Sequence, residues 1–298
     1  MSTLMSALEQ AVSVSFKNIL LATDLSPASE RALDCARTLA REHSAVHTLH
    51  VSGSDNYQLL CPEAFSATFN ANRENGRGAT QVLKDLLRGL PCEVPINGSR
   101  VWEVIADVAG RNEIDLLILG THGRKGLNKL LFGSVAEEVF RDVTCPVLTV
   151  GADVKPFGPS GFEVKNLLLA SDFNPKSFAP IYAAWLSRRF DARFYGLHVV
   201  SNEDDWPNAN CYRVEQQLVN AAPEIRDLKP QPEFIVEFGE PAAKILRVAS
   251  EISADIIVLG AHAPRDVRTI SHLPWATAGR VISGSACPVL TVRDSWIR

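Results

Sequence analysis

The sequence predicts an α/β protein built as two tandem units, each an open five-stranded sheet of parallel strands with helices on both faces. Three observations carry this. Short apolar runs alternate with longer amphipathic ones throughout the 298 residues, the pattern of a parallel sheet buried on both sides. The chain also repeats itself: DLLILGTHG (Asp115 to Gly123) returns as DIIVLGAHA (Asp255 to Ala263), and TCPVLTV (Thr144 to Val150) as ACPVLTV (Ala286 to Val292). Register is kept across the repeat, since Lys17, Asp24 and His50 recur as Lys165, Asp172 and His198, each 148 positions on.

In order, the strands of the first unit are read as Asn18 to Thr23, Val46 to Val51, a weaker one near Glu93 to Asn97, Asp115 to Gly120, and Pro146 to Val150. Ser26 followed by Pro27 supplies a capping hydroxyl and a first-turn proline, so a helix is expected from there, with Leu33, Ala36, Leu39 and Ala40 on one face. Asn174 and Pro175 are expected to start the matching helix, carrying Ala179, Ala183, Leu186 and Phe190 at helical spacing. The stretches 56–75 and 202–210 read as irregular polar excursions after the second strand of each unit. Gly239, Glu240 and Pro241 announce another helix before AAKILRVASEI. GADVKPFGPSGFE (Gly151 to Glu163), rich in Gly and Pro, reads as the linker, and the units are set at residues 1–152 and 162–298.

The two units differ where chemistry is expected. In the first, Gly120 and Gly123 are followed by nine residues and then Gly133 and Ser134, a G-x2-G-x9-G-S string between a strand and a helix. Gly120 would end the strand, Gly123 would let the backbone turn tightly against a ligand, and Gly133 with Ser134 would open a helix whose amides and dipole favour an anion. Arg124 and Lys125 could add positive charge, and the Ser134 hydroxyl could donate to a phosphate oxygen. Asp24, just past the first strand, would face the same crevice if that strand lies beside the fourth, because open sheets bind ligands where the strand order reverses. A carboxylate there suits ribose hydroxyls or a base edge. The ligand implied is a nucleotide.

KNILLATDLS, LHV, DLLILGTHG, the G-x2-G-x9-G-S string and TCPVLTV together resemble the universal stress protein family over nearly the whole chain. The resemblance implies an ATP-binding fold of strand order 3-2-1-4-5. It places Ala22, Thr23 and Asp24 against adenosine, Val51 in the base pocket, and Leu119, Gly120, His122, Gly123, Gly133, Ser134 and Val135 around the sugar and phosphates. Such proteins dimerise through their last strand, so the two units are expected to pack as an intramolecular pseudo-dimer. A homodimer of the chain and regulatory protein partners stay open.

In the second unit Ala263 stands where Gly123 was, Ala276 and Thr277 replace Gly133 and Ser134, and the intervening loop, PRDVRTISHLPW, holds twelve residues rather than nine and contains Pro264 and Pro274. A methyl group where backbone must approach phosphate weakens binding. ATP, carried with magnesium, is therefore expected in the first unit, with the second empty although Asp172 survives. His122 and His262 recur at the same strand end and are read as positioning the loop rather than as acid–base groups.

No catalytic set emerges: there is no GxxxxGK[ST] loop and no nucleophile with a base beside it. Nucleotide-dependent sensing or regulation is the leading reading, slow hydrolysis or self-phosphorylation at a hydroxyl such as Ser134 stays open, and a scaffold or small-ligand stress protein is the alternative. A glycine- and serine-rich loop directly after the first strand would mark an adenylating enzyme, but that position reads DLSPAS.

A net charge of -4 argues against nucleic acid, and no apolar stretch is long enough to span a bilayer. The first residues show no export signal, so the cytoplasm is expected. The six cysteines form no metal-ligand spacing, and no metal site is expected. Cys145 and Cys287, each before a Pro at the head of a strand, are read as buried structural residues.

Overall fold

The computed structural model describes residues 14–24, 26–40, 44–52, 56–63, 100–120, 138–140, 142–158, 161–261 and 274–293. Its strands are β1 (Asn18–Thr23), β2 (Ala45–Ser52), β3 (Asn56–Leu60), β4 (Leu116–Gly120), β5 (Val147–Val150), β6 (Asn166–Ala170), β7 (Arg193–Val200), β8 (Glu233–Phe238), β9 (Ile256–Ala261) and β10 (Val289–Arg293). Among the described residues the helices are α1 (Pro27–Leu39), α2 (Val101–Arg111), α3 (Ala179–Phe190), α4 (Cys211–Ala221), α5 (Pro241–Glu251) and α6 (Pro274–Gly284).

Among the described residues all ten strands form one sheet, in the order β3-β2-β1-β4-β5-β10-β9-β6-β7-β8. The second half carries the expected 3-2-1-4-5 order as a wholly parallel set. The two halves meet through their last strands: β5 and β10 run antiparallel, Leu148 opposite Leu290, and the Thr149 hydroxyl donates to the Val289 carbonyl at 3.1 Å. Antiparallel pairing of two equivalent last strands turns one half over relative to the other, so both first strands lie two places from the seam.

Strand side chains alternate between faces, and each face has its own core. Ile19, Leu21, Leu148, Val150, Leu290 and Val292 pack with α1, α3 and α4, whereas Leu20, Leu117, Val147, Leu168 and Val289 pack with α2, α5 and α6. Both cores continue across the β5–β10 seam, so neither half keeps its hydrophobic residues to itself. Cys145 and Cys287 are buried as expected, and burial pushes the Cys287 thiol up to about 11, which leaves it unreactive near neutral pH.

Two expectations are corrected. The 56–75 stretch is not wholly irregular, because Asn56–Leu60 forms β3, an antiparallel edge paired with β2 through Thr48 opposite Leu60. Leu60 is buried in the α1-side core, which gives this short segment a reason to turn back onto the sheet. The strand expected near Glu93 to Asn97 lies outside the described residues.

The second correction concerns α3, which starts at Ala179 rather than at Asn174–Pro175. Asn174 instead closes a local turn, its side chain accepting from the Lys176 amide at 3.0 Å and its carbonyl from the Ser177 amide at 3.0 Å. Pro180, in the first turn, takes the position proline favours.

The linker segment between the halves is packed into the fold. Gly158 and Gly161 form an isolated antiparallel bridge, Val154 and Phe162 are buried, and the Phe157 and Phe162 ring centroids lie 5.0 Å apart.

The candidate nucleotide crevice

β1 is flanked by β2 on one side and β4 on the other, so the chain passes from β1 to β2 in one direction and from β4 to β5 in the opposite one, which opens a crevice at the strands' carboxyl ends. The register brings Ala22 opposite Leu119 on β4 and Thr23 opposite His50 on β2. Ala22, Thr23 and Asp24, backbone at Val51, and Leu119 with Gly120 therefore converge on one edge of three neighbouring strands. His122, Gly123, Arg124, Gly133, Ser134 and Val135 lie outside the described residues. The loop that holds them leaves β4 at Gly120, beside Asp24.

Asp24 sits exposed at the rim while its carboxylate is held from below. Oδ1 accepts from the Ser29 hydroxyl at 2.6 Å and from the Ser26 amide at 3.0 Å. The Ser26 hydroxyl caps α1 by accepting from the Ser29 amide at 3.3 Å, as the Ser-Pro signal predicts. Ser29 is buried and also accepts from the Asp24 amide at 3.3 Å, so one side chain fixes both the backbone and the carboxylate of Asp24. Sequence reading missed Ser29. The signal was present, since Ser29 lies 148 positions before Ser177 in the same register as Asp24 and Asp172.

Gly120 proves to serve packing. A Cβ there would lie 2.6 Å from the Ser29 nitrogen and 2.8 Å from the Ala28 carbonyl carbon, so only glycine lets the first turn of α1 rest on the end of β4. Gly120, Ser29 and Asp24 thus form one contact that joins both lips of the crevice.

His50 was also missed as a shaping residue. Its Nδ1 donates to the Thr23 carbonyl at 2.8 Å, and His198 repeats this on Ser171 at 2.9 Å. A carbonyl can only accept, so in each of these bonds Nδ1 carries the hydrogen. In the second half Asp172 is again exposed, accepting from the Asn174 amide at 3.1 Å, and the Phe173 ring stacks on His198 at 4.1 Å.

Among the described residues no group of histidine, cysteine and carboxylate side chains could hold a metal ion, and no helix is long and apolar enough to cross a membrane.

The chain was compared with known proteins. It is 33% identical over 143 residues to a universal stress protein A homologue of Coxiella burnetii, covering 45% of this chain and 96% of that one. A universal stress protein of Bacillus subtilis is 31% identical over 147 residues, with 45% and 99% covered. Each relative thus corresponds to about half of this chain. Among solved structures, a universal stress protein from Archaeoglobus fulgidus matches 95% of this chain and 100% of its own, with TM-score 0.61 at 21% identity. A putative universal stress protein from Pseudomonas aeruginosa matches 93% of each chain, with TM-score 0.58 at 18% identity. These structural likenesses bear on the fold. The universal stress protein family model matches twice, over residues 15–151 and 163–293. With two such matches laid end to end on one ten-stranded sheet, the chain belongs to the universal stress protein family.

Proposed function

We propose that the first half binds ATP, with magnesium, and acts as a nucleotide-dependent sensor or regulator in the stress response of a cytoplasmic cell compartment. The observation that carries this is adjacency: β1 and β4 are neighbours, so Asp24 and the loop bearing Gly123, Gly133 and Ser134 begin on opposite lips of one crevice. An exposed carboxylate whose orientation is fixed by Ser29 and Ser26 fits ribose hydroxyls. A glycine loop leading to a serine suits phosphates, as the resemblance implies for this family. The residues present therefore fit the nucleotide, and magnesium would neutralise phosphate charge there.

The second half serves mainly as a structural partner. It keeps Asp172 and loses the loop glycines, and it shares both cores with the first half. The last strands, which such a protein would use to dimerise, are already paired with each other, and this supports reading the chain as a pseudo-dimer in which units 1–152 and 162–298 replace two subunits.

Asp24→Ala tests the ribose assignment. Losing a charge-assisted hydrogen bond costs about 1.5–3 kcal/mol, so ATP affinity is expected to fall on the order of 10- to 100-fold in a titration of the purified chain. Asp172→Ala is expected to leave it unchanged. Equal losses from both variants, or none from either, would reject the assignment.

A further inference from the structure

α1 makes an unusual set of contacts beyond its own half. Near its start, the Arg31 guanidinium donates to the carbonyls of Gly151 and Ala152 at 3.2 Å each, at the head of the linker. Near its end, the Thr38 hydroxyl donates to the Phe162 carbonyl at 2.9 Å, at the linker's far side. Beyond the last turn, Arg189 of α3 donates to the carbonyls of Thr38 and Ala40 at 3.2 and 3.4 Å. Those are terminal helix carbonyls, left without partners of their own inside α1, and a cation is favoured at that negative end. Arg189 is itself held by the rings of Trp185 and Phe190, its guanidinium carbon 5.3 and 5.1 Å from their centroids. Phe16, at the head of β1, packs edge-on to Trp185 at 5.0 Å.

The opposite end of the same helix is part of the crevice. Ser26 and Ser29 hold Asp24, and the Ala28–Ser29 backbone rests on Gly120. Thirteen residues at a 1.5 Å rise make α1 a rod of about 20 Å between these two ends. The linker holds α1 near both ends, through Arg31 and Thr38, while Arg189 of the second half holds the last turn and Asp24 rides on the first.

We propose that α1 couples the first-half crevice to the second half, with Arg189 as the positioning residue that sets the rod and hence the Asp24 carboxylate. The role of the second half is then regulatory as well as structural: α3 reads whether the crevice is filled. The ligand side of this coupling rests on the nucleotide reading above. By linkage, a ligand that binds one arrangement of α3 in preference and a ligand in the crevice would change each other's affinity by the same factor.

The test uses hydrogen exchange on the full chain, with and without ATP–magnesium, for wild type, Arg189→Gln, Arg189→Lys and Thr38→Val. Without nucleotide, Arg189→Gln is expected to speed exchange at the first turn of α1 (26–30), about 20 Å from the change by the helical rise, while sheet amides of β6 and β9 stay protected. Arg189→Lys, which keeps a cation for the carbonyls, restores most of the protection, and Thr38→Val reproduces part of the loss. With ATP, wild type gains protection at 188–190, and Arg189→Gln binds about five-fold more weakly, a size typical of coupling between sites. Unchanged exchange at 26–30 in Arg189→Gln without nucleotide overturns the coupling, whatever ATP does. A wild-type chain that binds no ATP while the nucleotide-free effects appear overturns the nucleotide reading instead.

Discussion

Gly120→Val is expected to be among the most destabilising single substitutions in this protein. The added Cβ would meet main chain, the Ser29 nitrogen at 2.6 Å, the Ala28 carbonyl carbon at 2.8 Å and the Ser29 Cα at 2.9 Å. Main chain in a helix's first turn cannot swing aside as a side chain can, so α1 must lift from β4 or the strand must bend. Overpacking of this kind costs about 3 kcal/mol, which lowers Tm by on the order of 10 °C in a domain of this size. Two glycines act as internal controls in a thermal melt. The Cβ of Gly260→Ala would meet the Ser177 Oγ at 2.6 Å, the end of a side chain that can rotate, so a loss of about 1 kcal/mol is expected. Gly110, inside α2, faces open space, and Gly110→Ala should stabilise by about 0.5–1 kcal/mol because alanine loses less backbone entropy on folding. If Gly120→Val melts like wild type, the contact between β4 and α1 is not what holds the crevice together.

Gly123→Val is expected to abolish ATP binding while leaving stability nearly intact. The G-x2-G-x9-G-S string sets Gly123 three residues after Gly120, and on the proposed nucleotide reading a glycine there would let the backbone approach phosphate. A branched side chain fills that space and denies the ligand its backbone donors. Two charge-assisted hydrogen bonds at about 1.5 kcal/mol each amount to roughly a 100-fold loss of affinity. The chain already carries a milder form of this change, since Ala263 occupies the matching place in the second half. Restoring Ala263→Gly alone is not expected to create a second site, because Ala276 and Thr277 still replace the glycine and serine. Calorimetry reads the affinities and a melt reads the stability of the same samples.

What could be read from the sequence was whatever repeats or is local. The alternation of apolar runs placed β1, β2, β4 and β5, offsets of 148, 140 and 142 residues placed their twins, and Ser26–Pro27 placed the start of α1. Asp24 and Gly120 were picked out as neighbours, and the β1–β4 register puts them on one edge. What escaped depends on partners far away in the chain. β3 becomes a strand because β2 offers it an edge and the core takes Leu60, and neither is visible in the polar stretch itself. The linker looked like a spacer by its Gly and Pro content, yet Arg31 and Thr38 tie it down from more than a hundred residues away. Asn174–Pro175 carries a helix-start signal that its own Asx turn absorbs before α3 begins. Gly120 was read as the end of its strand, and its close contact with the backbone of α1 is a packing role that spacing alone cannot show.

The most direct test of a working crevice beside a silent one is the stoichiometry of ATP binding. Purified chain, stripped of nucleotide, would be titrated calorimetrically with ATP and magnesium, wild type beside Gly123→Val. One site per chain, lost in the variant, is the predicted result. Two equal sites would contradict the silent second half, and no binding at all would contradict the nucleotide reading and leave a family member whose crevice serves some other ligand.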